Sequence, residues 1–247
     1  MSSYIKRALG RQVRRLSGMV PGVQQSLIEK ASRFVACEMV EGDYVEFGVY
    51  QGASFVAAYH ALRNAFAKRI AQGGDRSTDQ QSQERQRIWD NMRFIGFDSF
   101  EGLPELKGID TDTKDFKKGQ YAFGLDAFRK RVSQDGVPLD STVLIPGWFC
   151  DTCTEETRQK HKINKAAVIW IDGDLYESAV DALKFCTPLL QDGTVIIFDD
   201  WYAFRGSPYR GEQRAFAEWT ATLSEFTVRE YQKEGVWRNS FIVSKVE

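Results

Sequence analysis

The sequence has few cysteines and no long apolar run, and each shortage excludes a class of protein. Four cysteines scattered over 247 residues are too few for the disulfide scaffold of a small secreted protein. No apolar run approaches the roughly 20 residues that a membrane-spanning helix needs. The N-terminus also lacks the apolar segment and cleavage site of a secretory signal. We therefore expect a soluble cytoplasmic protein without a transmembrane segment.

The chain also lacks an excess of either charge. Its 33 Lys and Arg residues nearly balance 34 Asp and Glu residues, for a formal net charge of −1. Proteins that bind nucleic acid through its phosphates present a basic surface, so nucleic acid is not an expected partner. The hydrophobic fraction of 43% is ample for a sizeable core. We expect a single domain over residues 1–247.

Basic residues are concentrated at the N-terminus, where the first 28 residues contain no acid. Apolar side chains recur there at helical spacing, which predicts a basic amphipathic helix that ends near Gly18 and Pro21. This helix could lie on anionic lipid, cover an active site or pack against another subunit. A second helix is predicted at about 24–40. We interpret residues 1–42 as a helical arm or cap on a core formed by residues 43–247.

Short apolar runs rich in β-branched and aromatic residues alternate with helical segments through the core. Parallel strands are predicted at 44–47, 93–97, 142–145, 168–171 and 195–198, and an antiparallel pair at 226–231 and 240–245. This alternation predicts an α/β fold with a doubly wound, mostly parallel, seven-stranded sheet. Two polar insertions interrupt it. The first, at 71–87, is predicted to be a mobile excursion, and the second, at 101–140, to contain one helix near 125–132.

Two acidic pairs follow the fourth and fifth predicted strands directly. Asp172 and Asp174 lie in the motif IDGD, and Asp199 and Asp200 lie in FDDW. Parallel sheets place their ligand crevice outside the carboxyl ends of their strands. Four carboxylates that converge there repel one another unless a cation lies between them, so we predict a divalent cation with oxygen ligands. The alternative, that these residues cap helices and form surface turns, explains one Asp better than two pairs.

A glycine turn, EFGVYQG at 46–52, links the first predicted strand to the helix after it. Gly48 lets the backbone approach a ligand closely, and Gly52 opens the helix tightly. The spacing is not the GxGxxG of dinucleotide-binding folds. Asp98 ends the second predicted strand, where an acid can bond both hydroxyls of a ribose. These residues together predict a cofactor that carries a nucleoside but needs no pyrophosphate cradle.

Five motifs between residues 46 and 202 resemble those of class I S-adenosylmethionine-dependent methyltransferases and, more narrowly, of the macrocin O-methyltransferase (TylF-like) family. They are EFGVYQG, FDSFEGLP, GWF, IDGDLYES and FDDWY. The resemblance implies a Rossmann-like fold, S-adenosyl-L-methionine as cofactor and Mg²⁺ as metal. It also implies O-methylation of a sugar-containing small molecule or polysaccharide precursor. By the same analogy, a homodimer or larger homo-oligomer is plausible.

The resemblance further implies roles for individual residues. It places Glu46 and Gly48 at the methionine end of the cofactor, with Gly52 in the same turn. Asp98 is implied to bind the ribose, and Ser99 and Trp148 to lie near the adenine.

The acidic residues receive roles from the same resemblance. It implies that Asp172, Asp199 and Asp200 bind magnesium. A bound cation stabilises a sugar alkoxide and fixes its geometry, and Asp174 or a metal ligand such as Asp172 could take the proton.

Two departures from the family pattern bear on the acceptor rather than on the reaction. The polar stretch at 71–87 is longer than the pattern, and Cys150 intervenes before Asp151 after GWF. We interpret Cys150 and Cys153, a lone CxxC, as free thiols. The segment that begins at Asp110 is interpreted as a surface turn, and the aromatic segment that begins at Trp201 as either an acceptor wall or simple packing.

Two other functions remain open from the sequence. The same acidic cluster could serve a metal-dependent hydrolase or phosphotransferase, which would be indifferent to S-adenosylhomocysteine. The chain could also be a non-catalytic scaffold that binds the cofactor, although retention of all four carboxylates fits that idea poorly.

Overall fold

The computed structural model describes residues 25–72, 79–113 and 116–247, so the basic helix predicted before Gly18 lies outside the described residues. The strands are β1 Asp43–Phe47, β2 Phe94–Asp98, β3 Thr142–Pro146, β4 Ala166–Ile171, β5 Val195–Phe198, β6 Phe226–Glu234 and β7 Arg238–Lys245. The main helices are α1 Leu27–Glu38, α2 Ala53–Gln72, α3 Gln80–Asn91, α4 Leu125–Gln134, α5 Phe149–Thr152, α6 Glu155–Lys160, α7 Tyr176–Cys186 and α8 Gly211–Thr220. Short 3₁₀ turns lie at Gly108–Asp112, Leu139–Ser141 and Thr187–Leu189.

The strands form one seven-stranded sheet of order β3-β2-β1-β4-β5-β7-β6. Strands β1 to β5 run parallel, whereas β7 pairs antiparallel with both β5 and β6. The predicted doubly wound sheet with an antiparallel pair at one edge is therefore confirmed. All five residues of β1 and all six of β4 are buried, as expected for central parallel strands covered on both faces.

Helices cover both faces of the sheet and divide the core into two layers. On β1, Tyr44 packs into the layer formed with α1 and α2, while Val45 and Phe47 pack into the layer formed with α7 and α8. This alternation is the normal consequence of a strand's two-residue period.

Among the described residues, no helix combines the length and apolar character that crossing a membrane requires.

The polar insertion at 71–87 differs from its prediction, because the helices α2 and α3 extend into it from both sides. The Asp79 carboxylate caps α3 by accepting two backbone N–H groups, each at 3.2 Å. The Arg85 Nε donates to the Ala36 carbonyl on α1 at 3.0 Å, and Ile88 is buried. The stretch predicted to be a mobile excursion is therefore helical at 71–72 and 80–87, and a cap and polar anchors hold α3, which buries few apolar side chains.

Candidate active site

A cavity of about 810 Å³ lies at the carboxyl ends of the parallel strands. It opens beside β1 and β4, where the strand order reverses and doubly wound folds bind their ligands. The volume is within the range of small-molecule sites. Most of the predicted site residues line this cavity: Gly48, Asp98, Ser99, Trp148, Asp172, Asp174, Asp199 and Asp200.

The two glycines of the first turn have different tasks. Gly48 has a φ of +87°, and a Cβ there would lie 1.9 Å from the Asp172 carbonyl oxygen. Only glycine therefore lets this turn lie against the end of β4. Gly52 does not line the cavity, and a Cβ there would lie 2.8 Å from Val132 and 3.0 Å from Phe128. Gly52 thus allows α2 to pack against α4. It affects the cavity only indirectly, because it belongs to the same turn as Gly48.

Backbone N–H groups hold the Asp98 carboxylate in the cavity wall. Its Oδ2 accepts from Val49 N at 2.8 Å and Tyr50 N at 3.0 Å, and its Oδ1 accepts from Phe100 N at 2.7 Å. Burial raises the pKa of Asp98, and these three donors oppose that rise. A carboxylate has about four lone-pair sites. The group is therefore fixed in place and can still accept a ligand hydroxyl.

Ser99 and Trp148 converge on one carbonyl at the β2–β3 end of the cavity. The Ser99 Oγ donates to the Gly102 carbonyl at 2.7 Å, and the Trp148 Nε1 donates to it at 3.4 Å. Trp148 is 37% exposed and lines the cavity, so its indole can contact a flat ring that binds there.

Glu46 lies behind the cavity wall, whereas the family resemblance implies that it contacts the methionine end of the cofactor. Its side chain is fully buried and does not line the cavity. It accepts hydrogen bonds from the Tyr44 hydroxyl at 2.5 Å and from the Ser54 hydroxyl. Burial raises the pKa of Glu46 to about 8, against the opposing effect of these two bonds. Glu46 therefore lies behind the glycine turn, and its role at the methionine end of the cofactor stays a prediction.

Three carboxylates meet where β4 and β5 end. Asp172, Asp174 and Asp200 each place one oxygen within 4.8 Å of the others. Burial, followed by repulsion from neighbouring carboxylates, raises the pKa of all three. Asp199, which the prediction grouped with Asp172 and Asp200, lies near enough for its charge to raise the pKa of both, and its Oδ1 accepts from the Arg238 Nε at 2.6 Å.

The backbone at the strand ends brings these carboxylates together. Asp172 N donates to the Phe47 carbonyl at 2.8 Å, and Asp199 N donates to the Ile171 carbonyl at 3.0 Å, so β1, β4 and β5 end side by side. Asp174 follows in a left-handed conformation, with a φ of 57°. The donor set consists of closely spaced, largely buried carboxylate oxygens that repel one another, and this chemistry fits a hard divalent cation.

Glu212 is a site residue that the sequence did not indicate. It lies in the first turn of α8, is 1% exposed, and accepts from Asp200 N at 3.0 Å through its Oε2. Its Oε1 has no hydrogen-bond partner among the described residues. Burial and then the charge of Asp200 raise the pKa of Glu212 well above its ordinary value. A lone Glu in an amphipathic helix carries no sequence signal for such a position.

Asp110 is a second residue whose place in the site the sequence did not indicate. The prediction that Asp110 lies in a surface turn is wrong. Its side chain is 2% exposed and accepts from Tyr176 N at 3.1 Å and Glu177 N at 3.2 Å. These are N–H groups at the start of α7, and Leu175 at the N-cap position supplies no side-chain bond. Asp110 thus caps α7 from a segment more than sixty residues away.

In the aromatic segment that begins at Trp201, this residue packs against the core and does not line the cavity. The Trp201 ring centroid lies 5.1 Å from that of Phe198 and 4.7 Å from that of Phe241.

Cys150 and Cys153 are free thiols, as predicted, and Cys150 lines the cavity.

Comparisons with known proteins place this geometry in context. The profile of the family described as macrocin-O-methyltransferase (TylF) matches residues 79–221. An 8-demethyl-8-(2,3-dimethoxy-alpha-L-rhamnosyl)-tetracenomycin-C 4'-O-methyltransferase from Streptomyces olivaceus is 33% identical over 173 residues, which cover 68% of this chain and 56% of the relative. A mycinamicin III 3''-O-methyltransferase from Micromonospora griseorubida is 26% identical over 184 residues, covering 72% of this chain and 60% of the relative. The chain therefore matches little more than half the length of these two relatives.

The fold comparison agrees with the sheet topology. The solved structure of the O-methyltransferase NovP aligns with a TM-score of 0.60 at 20% identity, covering 88% of this chain and 78% of that one. The predicted class I methyltransferase fold is therefore confirmed.

Proposed function

The chain belongs to the macrocin-O-methyltransferase (TylF) family, and from this premise we propose that it transfers a methyl group from S-adenosyl-L-methionine to a hydroxyl of a sugar-containing natural product. One observation carries the proposal. One cavity contains both Asp98, fixed by backbone donors, and the cluster of Asp172, Asp174 and Asp200. A methyltransferase that activates a hydroxyl needs both features within reach of one methyl group.

The cofactor end of the cavity is proposed to lie along β1 and β2. Asp98, already fixed by three backbone donors, would accept the ribose hydroxyls, and Gly48 would let the methionine portion lie against the backbone. Ser99 and Trp148 would border the adenine. S-adenosylmethionine supplies an electrophilic methyl group when bound.

The metal is proposed to bind Asp172, Asp199 and Asp200. Arg238 engages only Oδ1 of Asp199, so Oδ2 remains available to a cation. A divalent cation, when bound, polarises a coordinated hydroxyl and fixes its orientation. Glu212 would hold Asp200 in place through the backbone N–H that it accepts.

Asp174 is proposed to act as the general base. It belongs to the observed trio of carboxylates and lines the cavity, so a hydroxyl held beside Asp172 and Asp200 would lie within its reach. Its carboxylate would take the hydroxyl proton as the oxygen accepts the methyl group, which leaves S-adenosylhomocysteine and the methyl ether.

The acceptor class is proposed from the relatives. The Streptomyces olivaceus relative is named for a 2,3-dimethoxy-rhamnosyl group that it methylates at the 4' position, and we propose a deoxyhexosyl or hexosyl acceptor for this chain. The oxygen on the neighbouring ring carbon, as a hydroxyl or an ether, would be a second ligand of the divalent cation.

Methyl transfer from labelled S-adenosylmethionine to a panel of pyranosides tests the proposal, with Asp200→Asn as the variant and Asp126→Asn as its control. The Asp126 side chain is fully exposed on α4. We expect Asp200→Asn to lower kcat at least about 100-fold and to change the Kd of S-adenosylhomocysteine by less than about threefold. The control should match the wild type. Full activity of Asp200→Asn would exclude the metal role, and a folded wild type that does not bind S-adenosylhomocysteine would favour the hydrolase alternative.

A further inference from the structure

One carboxylate oxygen beside the acidic cluster is buried and has no hydrogen-bond partner among the described residues. It is Oε1 of Glu212, a residue that is 1% exposed. The other oxygen, Oε2, accepts from Asp200 N at 3.0 Å, so the side chain is fixed in position. Native structures rarely leave a buried polar atom without a partner. We therefore expect Oε1 to accept from a donor that does not belong to the described part of the chain.

Glu212 lies among four other carboxylates. Burial, followed by the charge of Asp200, raises the pKa of Glu212 well above its ordinary value. Three further carboxylates act in the same direction: Asp172, Asp199 and Asp174. The guanidinium of Arg238 bonds Asp199 and Glu234, so it does not balance the charge of Glu212. A donor at Oε1 therefore has to bring positive charge with it, as a water bound to a cation does.

The position of Glu212 is behind the cluster rather than in the cavity. Asp172, Asp174 and Asp200 line the cavity and place one oxygen each within 4.8 Å of the others. Glu212 neither lines the cavity nor belongs to this group of closely spaced oxygens. This position excludes direct contact with an acceptor in the cavity, and it fits a side chain that contacts a water ligand of the metal from behind.

The packing of α8 holds Glu212 at this depth. Glu212, Ala215 and Trp219 follow one another at intervals of three and four residues, so they lie on one face of the helix. Ala215 and Trp219 are buried in the core, and the Trp219 Nε1 donates to the Thr187 hydroxyl at 2.9 Å. The same face that anchors α8 therefore presents the Glu212 carboxylate to the cluster.

We propose that Glu212 is a positioning residue of the metal site, which orients Asp200 through Oε2 and accepts a hydrogen bond from a water ligand of the cation through Oε1. The inference rests on the metal of the proposed function and adds to it a residue outside the direct ligands. Mg²⁺ usually keeps several of its water ligands when it binds to a protein. Residues behind the direct ligands orient them, and their loss typically costs about 10–100-fold in metal affinity.

Titration with Mn²⁺, followed by the electron paramagnetic resonance of the free ion, tests this role without S-adenosylmethionine or an acceptor. Glu212→Gln keeps an oxygen for Asp200 N but loses the charge at Oε1. We expect this variant to raise the Kd of Mn²⁺ at least about tenfold, with the Kd of S-adenosylhomocysteine unchanged within about twofold. The control is Glu218→Gln, the same change on the same helix, where the side chain is half-exposed and pairs with Arg214. It should match the wild type.

A wild-type Kd of Mn²⁺ in Glu212→Gln would overturn the proposal, because the residue would then serve only to hold Asp200. The water-proton relaxation rate, which counts the waters bound directly to Mn²⁺, gives a second test that needs no variant to fold. The wild type should keep at least one such water, and Glu212→Gln should show the same number. No such water in the wild type would overturn the proposal, and so would an additional water in the variant, since Glu212 would then be a direct ligand.

These outcomes can be separated from those of the proposed reaction. Mn²⁺ binding that weakens in Glu212→Gln supports the role of Glu212 even if S-adenosylhomocysteine does not bind, a result that would remove only the methyltransferase proposal. A wild type that binds S-adenosylhomocysteine but not Mn²⁺ would overturn the role of Glu212 and leave the proposed cofactor in place.

Discussion

Replacing Asp110 with Ala should loosen the start of α7, the helix that follows the acidic motif IDGD. The Asp110 carboxylate accepts two N–H groups of the first turn, at 3.1 and 3.2 Å, and Leu175 offers α7 no side-chain cap of its own. Loss of an N-cap costs about 1 kcal/mol. Loss of a negative charge at a helix N-terminus costs about a further 0.3–1 kcal/mol. We expect Asp110→Ala to lower the free energy of unfolding by about 1–2 kcal/mol.

Urea denaturation of the wild type, Asp110→Ala and Asp110→Asn measures this effect. The Asn side chain keeps an oxygen that can accept the N–H groups, so that variant should lose only the charge contribution, less than about 1 kcal/mol. Because Asp174 lies two residues before α7, Asp110→Ala should also lower kcat more than it raises the KM of the acceptor. Equal denaturation midpoints for all three proteins would refute the assignment of Asp110 as the cap of α7.

Two further substitutions test the support of the glycine turn. The raised pKa of Glu46, about 8, means that the folded chain keeps a proton that the unfolded chain releases above its ordinary pKa of 4.5. Wild-type stability should therefore fall by up to about 1.4 kcal/mol per pH unit between those values. Glu46→Gln, which does not titrate, should gain on the wild type over the same window and still bind S-adenosylhomocysteine. A constant difference in unfolding free energy from pH 5 to 8 would contradict the burial argument. Gly48→Ala should lose more than about 2 kcal/mol, whereas Gly119→Ala, with a similar φ of +76° and open space at Cβ, should lose only about 1 kcal/mol. Equal losses would contradict the close approach of Gly48 to β4.

The sheet was predictable from the sequence because its central strands are apolar on both faces. Val168–Ile171 and Val195–Phe198 carry that signal without interruption, and each ends in an acid. The end of a parallel strand fixes where such an acid lies, so the convergence of Asp172 and Asp200 follows from topology alone. The helix α3 was not predictable from composition, since a cap and polar contacts to α1 hold it.

The partners of the site residues were not predictable, because they come from distant parts of the chain. Glu212 reaches Asp200 from the first turn of α8, and Arg238 reaches Asp199 from the start of β7. Neither residue stands in a motif, and only the packing of α8 and the antiparallel pairing of β7 bring them to the cluster. Glu46 differs from these residues, because its partners Tyr44 and Ser54 are close to it in the sequence.

Titration calorimetry of the folded protein with S-adenosylhomocysteine, with and without Mg²⁺, tests the central claim most directly. We expect binding in the micromolar range in both titrations, because the residues around Asp98 that are proposed to hold the cofactor do not depend on the metal. No detectable heat of binding in either titration, from a sample whose fold is verified by circular dichroism, would contradict the account.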